Sequence, residues 1–330
     1  MRTVMFGELE VSAIGLGCMS MTDSYGPADR NEAARTLERA VELGVTLFDT
    51  ANAYGAGENE LLVGAALAPH RDEVVIATKF GFVVDGRTPR IDGHPDRVED
   101  RCNESLDRLG VDHIDLYFLH RLDPDVPIEE TVGAMARLID VGKVRHLGLS
   151  EVNTDTLRRA HATRRISAVQ SEYSLWTRDP EGGVLDACRQ LGIGFMPYSP
   201  LGRAMLAGAI TNEAQVTGTG DLRSTLPRFQ GEHLANNLVL VDDLKALAES
   251  LAVTPAQLSL AWVLSRAENI APIPGTRRRK WLEQNVQAVD LQLDEATTVA
   301  LDELFAPNRV SGGRYNLSWM RSSDSSTSDD

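Results

Sequence analysis

"GLGCMSM", residues 15–21, ends the first strongly apolar run of the chain, and its reading decides between two folds. A strand that opens into G-x-G-x-x-G starts a doubly wound sheet shaped around a dinucleotide; here Ser20 stands where the last glycine belongs. Working outward, the run "SAIGLGC" (12–18) is the first of eight. The others are "VTLFDTA" (45–51), "VVIATKF" (74–80), "IDLYFLH" (114–120), "VRHLGLS" (144–150), "ISAVQSE" (166–172), "IGFMPYS" (193–199) and "NIAPIPG" (269–275). Between them lie amphipathic stretches such as "NEAARTLERAVELG" and "DRVEDRCNESLDRLG", several ending in glycine as helices do. Strands that alternate with helices pair in parallel through crossovers, and their near-continuous apolar character fits burial on both faces. Eight such units predict an α/β fold, a single (β/α)8 TIM barrel. "TVMFGELEVSAIGLG" adds a short N-terminal β-hairpin turning at Gly7. Residues 1–321 are expected to form one barrel domain, and the acidic, low-complexity "SSDSSTSDD" at 322–330 a disordered tail.

Composition narrows the function classes. A formal net charge of −15 excludes a general binder of nucleic acid or anionic membrane, because phosphate contacts need a basic surface. Cys18, Cys102 and Cys188 form neither a CxxC motif nor an even disulfide framework. With no apolar leader and no run long enough to span a bilayer, a cytoplasmic location is expected. The seven histidines show no metal-ligand spacing, so no metal is expected. One local exception to the acidic balance is "IAPIPGTRRRK" (270–280), which sets Arg277, Arg278, Arg279 and Lys280 in a row. The following "WLEQNVQAV" reads as a helix, so the row would occupy its first turn, where the macrodipole already favours an anion.

Catalytic groups of a barrel gather at the carboxyl ends of its strands. Those positions hold Asp49, Lys79, His120, Ser150, Gln170, Ser199 and Thr276, with Tyr54 five residues beyond Asp49. Asp49 and Lys79, on neighbouring strands, can satisfy each other's buried charge. A tyrosine beside that lysine would have its phenolate favoured, lowering its pKa toward the range of a general acid. A neutral histidine could orient a substrate oxygen. Together these groups suit a carbonyl that takes hydride on carbon and a proton on oxygen. Lys79 as a Schiff-base nucleophile of a lyase is a second reading of the same residues.

The stretches "FDTANAYGAGENE", "ATKF", "DLYFLH", "GLS", "QSEYSL", "YSPLGR" and "IPGTRRRKWLEQN", in this order, resemble the aldo-keto reductase superfamily, in its bacterial branch with "GLSE". The resemblance runs from about Val11 past Asn285. It implies an NADPH-dependent oxidoreductase reducing an aldehyde or ketone, with a tetrad in which Tyr54 donates the proton, Lys79 tunes it, Asp49 anchors Lys79 and His120 positions the carbonyl. It implies NADP(H) held across the barrel mouth without a dinucleotide-binding sheet. Ser150 and Gln170 would grip the nicotinamide carboxamide, and Tyr198 would stack on the ring. Ser199, Pro200, Leu201, Gly202 and Arg203 would follow the pyrophosphate, with Met19 and Asp49 among the contacts. Gly275, Thr276, Arg277, Arg278, Gln284 and Asn285 would hold the adenosine end and its 2′-phosphate. A third expectation drawn from the superfamily is a cofactor-binding regulatory subunit with little turnover.

Two departures stand out. Glu151 replaces the asparagine many relatives carry after the serine, and Gly275 and Trp281 stand where another branch has basic residues. The substrate is expected to be a small carbonyl compound held by loops 19–27, 81–95 and 173–180 and by the segment near the C-terminus, with Tyr25, Phe82, Trp176 and Trp319 as an apolar wall. With no basic cluster in those loops, neutral carbonyls are the expectation.

Overall fold

The computed structural model describes residues 1–22, 24–83, 90–316 and 324. The chain opens with the hairpin, in which β1 (Thr3–Phe6) pairs antiparallel with β2 (Leu9–Ser12). The turn falls at Gly7 as expected, with φ 67°. Then come β3 (Leu16–Gly17), β4 (Leu47–Asp49) and β5 (Val75–Phe80). A small antiparallel pair, β6 (Phe82–Val83) and β7 (Arg90–Ile91), leaves the end of β5. The sheet continues with β8 (Ile114–Leu119), β9 (Val144–Ser150), β10 (Ala168–Glu172) and β11 (Gly194–Tyr198). Seven strands pair in parallel in the order β11-β10-β9-β8-β5-β4-β3.

The eighth run, 269–275, closes the barrel without forming a regular ladder. It meets β11 through the Phe195–Ile270 bridge and β3 through the Gly17–Gly275 bridge, both parallel. Ala271 and Ile273 donate their amides to Phe195 and Pro197 carbonyls of β11 at 3.0 and 2.9 Å. The alternate residues, which face β3, are Pro272 and Pro274; a proline has no amide to give, so that side is held by Gly15 donating to the Pro272 carbonyl at 2.9 Å.

Outside the strands lie α1 (Arg30–Glu42), α2 (Glu58–Leu67), α3 (Pro95–Leu109), α4 (Ile128–Asp140), α5 (Thr154–Thr163), α6 (Val184–Leu191), α7 (Gly231–Ser250), α8 (Pro255–Leu264), α9 (Arg279–Val286) and α10 (Glu295–Leu304). Their starts follow side-chain caps: Asp29, Asn153 and Asp294 accept amides of the first turns of α1, α5 and α10, and Thr254 with Gln257 makes a capping box on α8. Gly110 ends α3 at φ 66°, the left-handed stop that its sequence position predicts.

Two apolar layers result. Between strands and helices lies a large cluster including Leu37, Phe80, Tyr117, Leu147 and Val169. Inside the barrel a second cluster joins Leu47, Ala77, Leu116, Phe118, Ala168 and Met196 to Val4, Phe6 and Val11 of the hairpin. The hairpin therefore packs into the barrel interior. Phe6 lies so close to the first residue of β11 that a Cβ on Gly194 would come within 1.9 Å of its ring, which requires glycine there. With that interior filled by side chains, the opposite rim is left for chemistry. Among the described residues no single helix is long and apolar enough to cross a membrane.

Candidate active site

Strand register brings the charged residues together. Asp49 pairs with Ala77 on β5, so Lys79, two residues on, projects to the same face one step nearer the rim. Lys79 in turn pairs with Phe118, and His120 lies two residues beyond it, just past β8. The Lys79 ammonium is fully buried. It donates to both Asp49 carboxylate oxygens at 2.7 Å, to the Thr50 carbonyl at 2.8 Å and to the Tyr54 hydroxyl at 3.2 Å. Tyr54 opens a short 3-10 turn before α2, and its ring meets the edge of His120 at 5.9 Å. Phe82 closes the other side of His120 at 4.7 Å. Every lysine donor is thus engaged inside the protein, an arrangement unlike that of an exposed amine nucleophile.

The electrostatics depart from expectation at Tyr54. Burial, followed by the negative charge of Asp49, pushes its phenol well above the ordinary value, and the cation that opposes this is Arg121. The expectation of a lowered pKa fails because burial and the Asp49 charge outweigh what the Lys79 hydrogen bond at 3.2 Å can give the phenolate. Burial likewise lowers Lys79, against the pull of Asp49, and raises Asp49. His120 is held well below its usual range, first by burial and then by the charges of Lys79 and Arg121, so the ring is neutral near pH 7.

Above this group opens a cavity of about 870 Å³. Asp49, Tyr54, Phe82, His120 and Gln170 line one part of it. Met19, Tyr25, Tyr198, Ser199, Pro200, Leu201 and Arg203 also line it, and Gly275, Thr276, Arg277, Arg278, Gln284 and Asn285 belong to the same lining. Lys79 and Ser150 lie beneath it: the Ser150 hydroxyl accepts from Arg121 Nη1 at 3.2 Å. Gln170 donates Nε2 to Asp49 at 2.8 Å and keeps its amide oxygen as an acceptor. Gly202 packs against the Trp176 indole, which is buried against Phe229 and stays out of the lining. Trp319 and the tail, apart from Asp324, lie outside the described residues; Asp324 donates its amide to the Glu151 carbonyl at 3.0 Å.

The basic row divides. α9 begins only at Arg279, with Arg278 as its uncapped N-cap, so the first turn holds two of the four residues rather than all. Arg279 pairs with Glu32 of α1 at 3.2 Å, and Lys280 lies over the Trp281 ring at 4.7 Å. Arg277 and Arg278 line the cavity, Arg277 donating to the Gly26 carbonyl at 3.0 Å.

Glu151 has a distinct place. Its backbone is left-handed (φ 55°), its carboxylate is buried, and it accepts the Glu172 amide at 2.8 Å and pairs with Arg314 at 2.8 Å. Asn153 caps α5 and so does not stand in for the absent asparagine. The Glu151–Arg314 pair anchors the segment that carries Tyr315, a lining residue whose hydroxyl lies 3.0 Å from that of Tyr198. Arg203 ties Tyr315, Tyr25 and Glu172 together at 2.8, 3.3 and 3.1 Å. Ser199, Arg203 and Ala204 all have positive φ (49°, 55° and 79°), strain concentrated in a loop facing the cavity. Sequence reading missed Arg121, Arg314 and Tyr315. Arg121 carried a local signal, as a cation directly after the strand-end histidine, and Tyr315 falls in the C-terminal segment expected to hold the substrate.

The model of the aldo/keto reductase family matches residues 13–306. The chain is 46% identical over 309 residues to a probable aldo-keto reductase 1 of Glycine max, covering 93% of this chain and 89% of that one. It is 40% identical over 320 residues to the aldo-keto reductase yakc [NADP(+)] of Schizosaccharomyces pombe, covering 95% and 94%. Among solved structures, the glycerol dehydrogenase AKR11B4 from Gluconobacter oxydans superposes with a TM-score of 0.84 at 27% identity, over 93% of this chain and 96% of that one.

Proposed function

The chain belongs to the aldo/keto reductase family, and from that premise we propose that it reduces an aldehyde or ketone with NADPH, Tyr54 giving the proton. The observation that carries this reading is the buried Asp49–Lys79–Tyr54 chain beside neutral His120, at a cavity whose lining extends to Arg277 and Arg278. The residues fit the cofactor: a cavity of about 870 Å³ has aromatic Tyr198 and acceptor Gln170 in its lining together with two guanidinium groups of the basic row. When bound, NADPH supplies the hydride to the carbonyl carbon.

The protein residues divide the remaining work. His120, neutral, donates a hydrogen bond that fixes the carbonyl oxygen. Tyr54 is protonated at neutral pH, as a phenol is without any shift, and burial tightens its hold on the proton, which passes on only as the carbonyl oxygen gains charge. Lys79, 3.2 Å away, stabilises the phenolate left behind, and Asp49 keeps that lysine charged despite its burial. Arg277 and Arg278 together with Thr276 meet the ribose 2′-phosphate, for which guanidinium geometry is suited. Titrating the protein with NADPH and NADH by tryptophan fluorescence, then following NADPH oxidation with a panel of aldehydes and ketones, tests the reading. Tight NADPH binding with turnover is expected; absence of binding by either cofactor overturns it.

A further inference from the structure

Three basic residues among those described are buried: Lys79, Arg121 and Arg314. Lys79 has Asp49, and Arg314 has Glu151 at 2.8 Å. Arg121 has no carboxylate within ion-pair distance among the described residues, although it is only 7% exposed. Its Nη1 donates to the His120 carbonyl at 2.7 Å and to the Ser150 hydroxyl at 3.2 Å, both neutral acceptors. Its Nε is buried without a hydrogen-bond partner. The guanidinium lies over the Phe82 ring at 5.7 Å, and the residue lines the cavity in company with His120 and Tyr54.

The carboxylate that acts on Arg121 is Glu151, already paired with Arg314, so Arg121 has no ion pair of its own. A buried cation in that position is costly, and an arriving anion would relieve the cost. The other cations of the cavity are otherwise committed. Arg203 holds Glu172, Arg223 holds Asp221 at 2.6 Å, and Arg277 and Arg278 belong to the basic row that opens α9. Phe82, whose ring lies under the guanidinium, and the phenol rings of Tyr54, Tyr198 and Tyr315 line the same cavity. An anionic oxygen brought to this spot would find one cation, in a place of low dielectric where a charge-assisted hydrogen bond is strong.

We propose that Arg121 is a substrate-recognition residue, and that the preferred substrate is an oxo acid, a carbonyl compound bearing a carboxylate that Arg121 grips while His120 and Tyr54 hold the carbonyl. The proposal rests on the reductase reading above and gives it a substrate class in place of the neutral carbonyls that the surrounding loops alone suggested. The balance of the reaction is that of any carbonyl reduction. Hydride from NADPH forms the new C–H bond, the C=O π pair moves to oxygen, and that oxygen takes the Tyr54 proton, so oxo acid and NADPH become hydroxy acid and NADP+. Arg121 transfers nothing; it selects and orients.

The test compares kcat/KM for oxo acids with that for their methyl esters, starting with glyoxylate and pyruvate and extending to acids whose carboxylate stands two or three carbons from the carbonyl. In the wild-type protein the best acid is expected to exceed its ester by roughly 10- to 100-fold, mainly through KM, the worth of a charge-assisted contact. In Arg121→Met that acid-to-ester ratio falls to near one whatever the absolute rate, and Arg121→Lys restores part of it. A wild-type ratio near one across the series overturns the proposal without needing any variant to fold. So does a ratio that survives in Arg121→Met, or an unchanged ratio accompanied by lost NADPH affinity, which would assign the charge to the cofactor. Turnover of esters and neutral aldehydes without acid preference sinks only this proposal; no NADPH oxidation with any carbonyl sinks the reductase reading and this proposal together.

Discussion

Replacing both members of the Asp49–Lys79 pair should cost clearly less stability than the two single replacements added together. Lys79 Nζ lies 2.7 Å from each Asp49 oxygen, and the two side chains are 0% and 4% exposed. At that distance the attraction is about 6 kcal/mol with an effective dielectric constant of about 20, before the desolvation that opposes it. Removing one partner strands the other charge, a loss of about 3–5 kcal/mol in buried pairs. Asp49→Asn keeps one oxygen for Lys79 and the contact with Gln170, which places it near the lower end. Lys79→Met leaves Asp49 with the Gln170 bond at 2.8 Å and a carboxylate that burial already drives toward its protonated form. The double variant Asp49→Asn/Lys79→Met carries no stranded charge. Its loss should fall short of the sum of the single losses by at least about 2 kcal/mol. Urea unfolding at neutral pH, followed by tryptophan fluorescence and by circular dichroism so that coincident transitions justify a single free energy, measures all four proteins. Strict additivity, or single variants within about 1 kcal/mol of wild type, would refute the claim that these groups exist to compensate each other.

Other expectations follow from the same geometry. Arg277→Ala/Arg278→Ala should weaken NADPH binding by roughly 10-fold or more while changing NADH binding little, because only the former loses charge-assisted contacts to phosphate; equal losses for both cofactors would return these residues to the status of solvated charges. The depressed pKa of His120 sets a pH dependence of stability. Above about pH 6.5 the ring is neutral folded and unfolded and contributes nothing; below it the unfolded chain takes a proton that the folded protein refuses, so stability falls with pH by up to about 1.4 kcal/mol per unit until the folded pKa is reached. His120→Gln should remove about one proton's worth of that slope, and an unchanged slope of urea midpoint against pH would contradict the buried, neutral assignment.

Much of the barrel was legible because parallel strands buried on both faces write themselves as apolar runs, and all eight runs lie where the structure closes its ring. The eighth is irregular for a reason also written in the sequence: Pro272 and Pro274 remove the amides that β3 would have received. Asp49, Lys79 and His120 could be read as a group because a barrel sends every strand's carboxyl end to one rim, and register then does the rest. What stayed hidden depends on long-range packing. Nothing near Glu151 announces Arg314, 163 positions along the chain from it, yet their ion pair sets the approach of Tyr315 to the cavity. The Tyr54 shift runs opposite to the expectation because adjacency to a lysine says nothing of burial, which dominates, or of the Asp49 charge that accompanies that lysine. Arg121 was passed over because the strand-end inventory stopped at His120, and whether the next side chain turns inward is decided by its bonds to the His120 carbonyl and Ser150.

The central claim is that Tyr54 supplies the proton in NADPH-driven carbonyl reduction. Tyr54→Phe removes one oxygen and leaves the ring against His120. Its NADPH affinity, read by fluorescence titration, should stay within a few-fold of wild type, while kcat with the best carbonyl substrate falls by roughly 10²- to 10⁴-fold, the usual contribution of a general acid. Near wild-type turnover in Tyr54→Phe, or loss of cofactor binding in place of turnover, would contradict the account.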